Sequence, residues 1–180
     1  MKKRIRFDRF RLPYWPAPEE LAPYFLASKG HEWSYLGGNE SWGMEVSGLF
    51  GSQHLPVYGA MGLTGRETQV EANLEICGNP ELGVLLCYSR YGGSYNDSFF
   101  SAGDLSRMNT WVRTLNDDLR PVGLYIPFRD AWPAVKEFME TDGELPKCIP
   151  WIAASDLPEN TFPDRGNISF NGLRAINDKP

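Results

Sequence analysis

Ile126-Pro-Phe-Arg-Asp-Ala-Trp-Pro-Ala-Val-Lys-Glu-Phe-Met-Glu-Thr-Asp-Gly-Glu-Leu-Pro-Lys-Cys-Ile-Pro-Trp151 is the stretch whose reading decides the fold. Phe128, Ala131, Trp132, Val135, Phe138 and Met139 recur at the spacing of one helical face. Asp130, Lys136, Glu137 and Glu140 fall on the opposite face. Asp130 is the expected N-cap, and Pro133 would then sit in the first turn, where its missing N–H is no loss. Gly143 can supply a left-handed terminal turn, and Pro146 blocks continuation. Cys148-Ile-Pro-Trp151 then reads as a short strand closed by a large aromatic. The rest of the chain reads mainly as sheet or loop for this helix to cover.

Upstream, Val70, Ala72, Leu74 and Ile76 alternate with Glu71, Asn73 and Glu75, giving a strand with one apolar and one mainly acidic face. Cys77-Gly-Asn-Pro-Glu-Leu-Gly83 is a turn, and Val84 to Tyr88 returns as a more central strand, apolar on both faces. Tyr91-Gly-Gly-Ser94 turns again. Further strands are expected over Ser98–Ala102 and Met108–Leu115, and Val122–Ile126 leads into the helix. Trp42, Met44 and Val46 mark another half-buried strand, and Leu55–Leu63 a short strand or ordered loop. Pro18 to Gly30 is a shorter helix, its early Glu pair suiting the positive end of the dipole and its Leu21, Tyr24 and Phe25 facing the core. The expected fold is α+β. A meandering antiparallel sheet of about five to seven strands carries the C-terminal helix on one face and a short N-terminal helix.

At 180 residues the chain suits a single domain, with residues 1–16 as a basic arm or edge strand and 152–180 as a tail rich in Pro and Asn. The net charge of −5 is unevenly spread: residues 1–11 carry six basic groups and one acid, and the remainder is strongly acidic. An acidic body disfavours nucleic acid as the main ligand and favours a basic partner, although surplus acid also serves solubility. Three cysteines without a C-x-x-C spacing indicate a reduced, cytoplasmic protein rather than a disulfide framework or zinc site. Neither a signal peptide nor a membrane span is expected.

Catalytic patterns are thin. His31 and His54 have no triad or metal spacing, and no phosphate-cradling glycine motif occurs, so no cofactor and no metal are expected. Cys87 with His54, or carboxylate pairs such as Asp117 with Asp118, would serve a small enzyme, the alternative reading. An acidic scaffold or regulatory subunit is a third. Binding is better supported: between residues 39 and 81, six Glu outnumber the single basic residue, Arg66, with Trp33, Tyr35, Trp42 and Tyr58 in or near the region. Acids around aromatic anchors suit an interface for a basic partner. The candidate contacts are Glu40, Trp42, Glu45, Tyr58, Glu67, Glu71, Asn73 and Glu75. Against this, Trp33 and Trp42 can be core residues and the Glu residues a solvated face.

Ile126-Pro127, Glu137-Phe138 within the helix, Thr141 and Gly143, Pro146 and Trp151 together resemble the C-terminal signature of a bacterial immunity family, the first-numbered class of polymorphic-toxin immunity proteins. The preceding hairpin and the Gly92-Gly93 turn are similar too, so the likeness spans roughly residues 69–151. Pro133 and Asp142 depart from the pattern. The resemblance implies a cytosolic antitoxin without enzymatic activity. It would block a cognate toxin domain, often a nuclease or deaminase acting on nucleic acid, by occluding its active site. The matching residues are fold-keeping positions, so the likeness transfers no contact site.

Overall fold

The computed structural model describes residues 2–7, 10–27, 41–50, 69–114 and 118–163; for Lys2, Phe7, Phe10, Arg11, residues 41–50 and Gln69 it describes the backbone alone. Among these residues the α+β architecture expected from the sequence is present. An antiparallel seven-stranded sheet has the order β2-β1-β3-β4-β5-β6-β9. Its strands are β1 (Lys2–Phe7), β2 (Phe10–Leu12), β3 (Ser41–Phe50), β4 (Gln69–Asn79), β5 (Gly83–Gly92), β6 (Tyr95–Ser101) and β9 (Trp151–Ala153). A second sheet pairs β7 (Trp111–Arg113) with β8 (Leu119–Pro121). The helices are α1 (Pro18–Leu26) and α2 (Phe128–Glu140).

The β4–β5 hairpin is the centre of the sheet. Its apolar alternation buries Ala72, Leu74, Ile76, Val84, Leu86 and Tyr88 on one face, with Ile5 from β1. Leu21, Tyr24 and Phe25 of α1 and Ala131, Ala134, Val135, Phe138 and Met139 of α2 close over them. Phe25 packs on Trp132 at 5.5 Å between ring centroids, and Trp15 packs on Phe138 at 5.3 Å. Phe128 and Trp132 are only partly buried, so they edge this core rather than fill it.

A clamp fixes α2 to the sheet. Its entry is a backbone bridge in which the Val84 and Ile126 N–H groups each donate to the other's carbonyl, at 2.8 and 2.9 Å. Gly83 permits this approach, because a Cβ there would lie 2.1 Å from the Ile126 carbonyl oxygen, and its φ is +107°. At the exit, the Thr141 hydroxyl donates to the Glu137 carbonyl, and Gly143, at φ +97°, donates its N–H to the Phe138 carbonyl. Three successive residues are then stitched to the sheet. Asp142 pairs with Lys3 of β1, the Gly143 carbonyl accepts from the buried Tyr88 hydroxyl, and Glu144 pairs with Arg90 at 3.0 Å. Burial pushes the Tyr88 hydroxyl up to about 12, against the lowering effect of Arg90. The Glu137 carboxylate accepts from the Lys147 and Cys148 N–H groups at 3.0 and 3.1 Å. Those bonds hold its pKa below the usual carboxylate range. Trp151 finally donates its indole N–H to the Pro146 carbonyl at 2.6 Å and meets Tyr88 edge-on.

The other face of the sheet has a smaller core at one end, where Cys77 and Leu85 meet Val112, Val122, Leu124 and Tyr125. Ser101, fully buried, joins the layers by accepting from the Leu86 N–H and donating to the Leu124 carbonyl.

Several local expectations are corrected. Pro127, not Asp130, is the N-cap of α2, because its carbonyl receives the Asp130 and Ala131 N–H groups. Pro133 therefore lies inside the helix rather than in its first turn, on an exposed position. Trp151 opens a strand instead of closing one. The Met108–Leu115 strand shrinks to Trp111–Arg113, outside the main sheet, and Val122–Leu124 is a 3-10 turn. Helix α1 ends at Leu26 despite containing Pro23, while residues 28–30 and the Leu55–Leu63 segment lie outside the described residues.

Candidate partner-binding face

Glu71, Asn73 and Glu75 alternate with the buried residues of β4, so they point away from the helices. All three are half-buried. Register extends this row of positions across the sheet, since antiparallel partners share a face. Glu71 stands between Ser47 and Tyr91, with Asn96 beyond. Asn73 stands between Glu45 and Ser89, with Ser98 beyond. Glu75 stands between Gly43 and Cys87, with Phe100 beyond.

On the far side of β3, Arg4 and Arg6 take the positions beside Glu45 and Gly43. Both are exposed, whereas Ile5 between them is buried against the helices. The described elements that cover this face touch Cys77, Leu85, Cys87, Phe100 and Ile152. The rows through Glu71 and Asn73 lie beyond the cover that the described elements give, and their described side chains are half-buried or exposed.

Tyr91 is a large aromatic of this face, 47% exposed, and its hydroxyl donates to the Glu71 carboxylate. Glu75 accepts from the Cys77 thiol at 3.5 Å, a weak contact at the margin of the small core. An aromatic held by an acid is preorganised, and ordering it on a partner costs less side-chain entropy.

The remaining predicted contacts are divided. Glu40, Tyr58 and Glu67 lie outside the described residues. Glu45 falls in the row of Asn73, whereas Trp42 falls in the row of Ile76 and Leu86, which faces the helices. Tyr91, Arg4 and Arg6 were not among the candidates from sequence. The signal for Tyr91 was the hairpin itself, since pairing across the turn at residues 80–82 sets Tyr91 opposite Glu71.

Burial and the Glu75 charge push the Cys87 thiol up to about 11, with Arg120 opposing, which works against a thiolate nucleophile. His31 and His54 are outside the described residues. Among the described residues no group of three or more His, Cys, Asp or Glu is placed to hold a metal ion. A cavity of about 400 Å³ opens on the helix side between α1, the β4–β5 turn and the start of α2, lined by residues including Tyr24, Phe25, Leu82, Phe128 and Arg129. No described helix is long and apolar enough to cross a membrane.

Residues 58–153, more than half of the chain, match the family described as Immunity protein Imm1. The match includes the hairpin, the clamp and β9. Neither a curated protein nor a solved structure matches the chain.

Proposed function

Because the chain belongs to the Imm1 family of immunity proteins, we propose that it neutralises a cognate interbacterial toxin domain by docking the polar face of its sheet over the toxin's active site. The observation that carries this reading is the Glu71–Tyr91 pair, an exposed aromatic anchored by a carboxylate amid Asn73, Ser89 and Asn96. A toxin acting on nucleic acid, a nuclease or deaminase, lines its cleft with Lys and Arg to hold phosphates. Acidic strand positions match such a cleft by charge and speed the encounter. The protein then works in the cytoplasm as a binder, without chemistry of its own. The protonated Cys87 thiol supports that reading over the enzymatic one.

The test is co-expression with the toxin domain encoded by the neighbouring gene. The expected result is rescue of growth and a copurifying complex, and no complex would overturn the function. Tyr91→Ala, a change at the surface, should keep the fold and weaken binding roughly thirtyfold, the effect of losing one hot-spot residue. Unchanged affinity would move the contact away from this face.

A further inference from the structure

The polar face is not uniformly acidic. Register lays Lys2, Arg4 and Arg6 of β1 parallel to Glu71, Asn73 and Glu75 of β4, separated only by β3. The two stripes are therefore about 10 Å apart, two inter-strand spacings. Between them, the Lys2 and Arg6 rows cross β3 at Ser47 and Gly43, residues with a short side chain or none, while the Arg4 row crosses at Glu45.

In the basic stripe, Arg4 stands opposite Glu45 of β3 and Arg6 opposite Gly43, so register sets no carboxylate of β3 across from Arg6. Cations that face the helices are used internally: Lys3 pairs with Asp142 and lies over Trp15, and Arg90 pairs with Glu144. Arg4 and Arg6 differ. Both are exposed, and among the described side chains no carboxylate pairs with either guanidinium.

We infer that the face recognises its toxin by a two-signed charge pattern, with Glu71 meeting a basic patch and Arg4 and Arg6 meeting an acidic patch beside it. The inference rests on the docking face proposed above and specifies the partner further. The toxin surface carries carboxylates about 10 Å from the cations of its cleft, the spacing of the two stripes. Such a pattern fixes orientation as well as attraction, since a partner rotated by half a turn places like charges in contact. It also discriminates against nucleic acid, whose phosphates would meet the acidic stripe wherever they met the basic one.

The experiment uses the full chain and the toxin domain encoded by the neighbouring gene, with affinity measured by titration calorimetry at low and high salt. One variant set is Arg4→Glu with Arg6→Glu, and Arg4→Gln with Arg6→Gln is the milder version should charge reversal disturb folding. The other set is Glu71→Gln alone. Each set should weaken binding about tenfold or more at low salt, and less at high salt. A uniformly basic toxin would instead bind the arginine variants more tightly. Weakening in only one set overturns the two-signed pattern and leaves the docking face standing. Wild-type affinity in both sets overturns the docking face and the pattern with it.

Discussion

The two faces of the sheet use the same strands in opposite ways. On the helix side, the charged and polar groups of the clamp are committed to partners within the chain: Lys3 to Asp142, Tyr88 to Gly143, Arg90 to Glu144 and Glu137 to the 147–148 backbone. On the open side, Asn73, Ser89, Asn96 and Ser98 sit in rows that the described elements leave uncovered, and Arg4 and Arg6 face outward. The first face spends its chemistry on the fold, and the second leaves much of its chemistry available to a partner. Under the proposed docking, fold and recognition are separated by the thickness of one sheet.

The strongest way to break that division is through the helix side. Phe138 is fully buried and meets Trp15 and Tyr88. Phe138→Ala should cost about 3–5 kcal/mol by leaving a cavity, read as a drop in denaturation midpoint. A loss below about 1 kcal/mol would mean that the clamp does not depend on this packing.

Glu137→Gln should have a smaller effect, about 0.5–1 kcal/mol at neutral pH, because a neutral amide accepts the Lys147 and Cys148 N–H groups less strongly and solvent screens the exposed carboxylate. The pH dependence has a definite sign. The folded-state pKa of Glu137 is lowered, so its stabilisation is complete above the unfolded carboxylate value and is lost as pH falls through the folded one. Wild type and Glu137→Gln should therefore converge in stability at acid pH. A gap that stays constant with pH would remove the charge from the explanation.

The smallest effect is expected on the open side. Ser98→Ala, at a half-buried position in the Asn73 row, should change stability by no more than about 0.5 kcal/mol. Chemical denaturation would reveal a larger change, and with it a structural duty that the division of faces does not allow.

The parts of this fold that were legible in the sequence are those whose burial repeats locally. Helix α2 announces itself through Val135 and Phe138, and β4 through Leu74 and Ile76, because one face of each element meets a continuous core. The β7–β8 pair and the 3-10 turns were not legible, since three-residue elements have no period and owe their shape to the neighbours that cover them. Asp130 looked like a cap by residue type, but Pro127, with its φ fixed and its carbonyl free to accept two N–H groups, starts the helix earlier. Alternation placed Glu71, Asn73 and Glu75 on one face. It did not show that β1 lies two strands away, because pairing between distant segments leaves no local trace.

The seam at Asp142, Gly143 and Glu144 has a consequence for how this protein can change. The stretch from Ile126-Pro127 to Trp151, which lies within the family match, fastens α2 to one side of the sheet, while the residues proposed to meet a toxin belong to the other. Substitutions on the open face disturb none of the bonds that hold the seam. A lineage facing a new toxin could therefore rewrite Arg4, Glu71, Asn73 or Tyr91 in small steps, each of them foldable, and keep the same skeleton throughout.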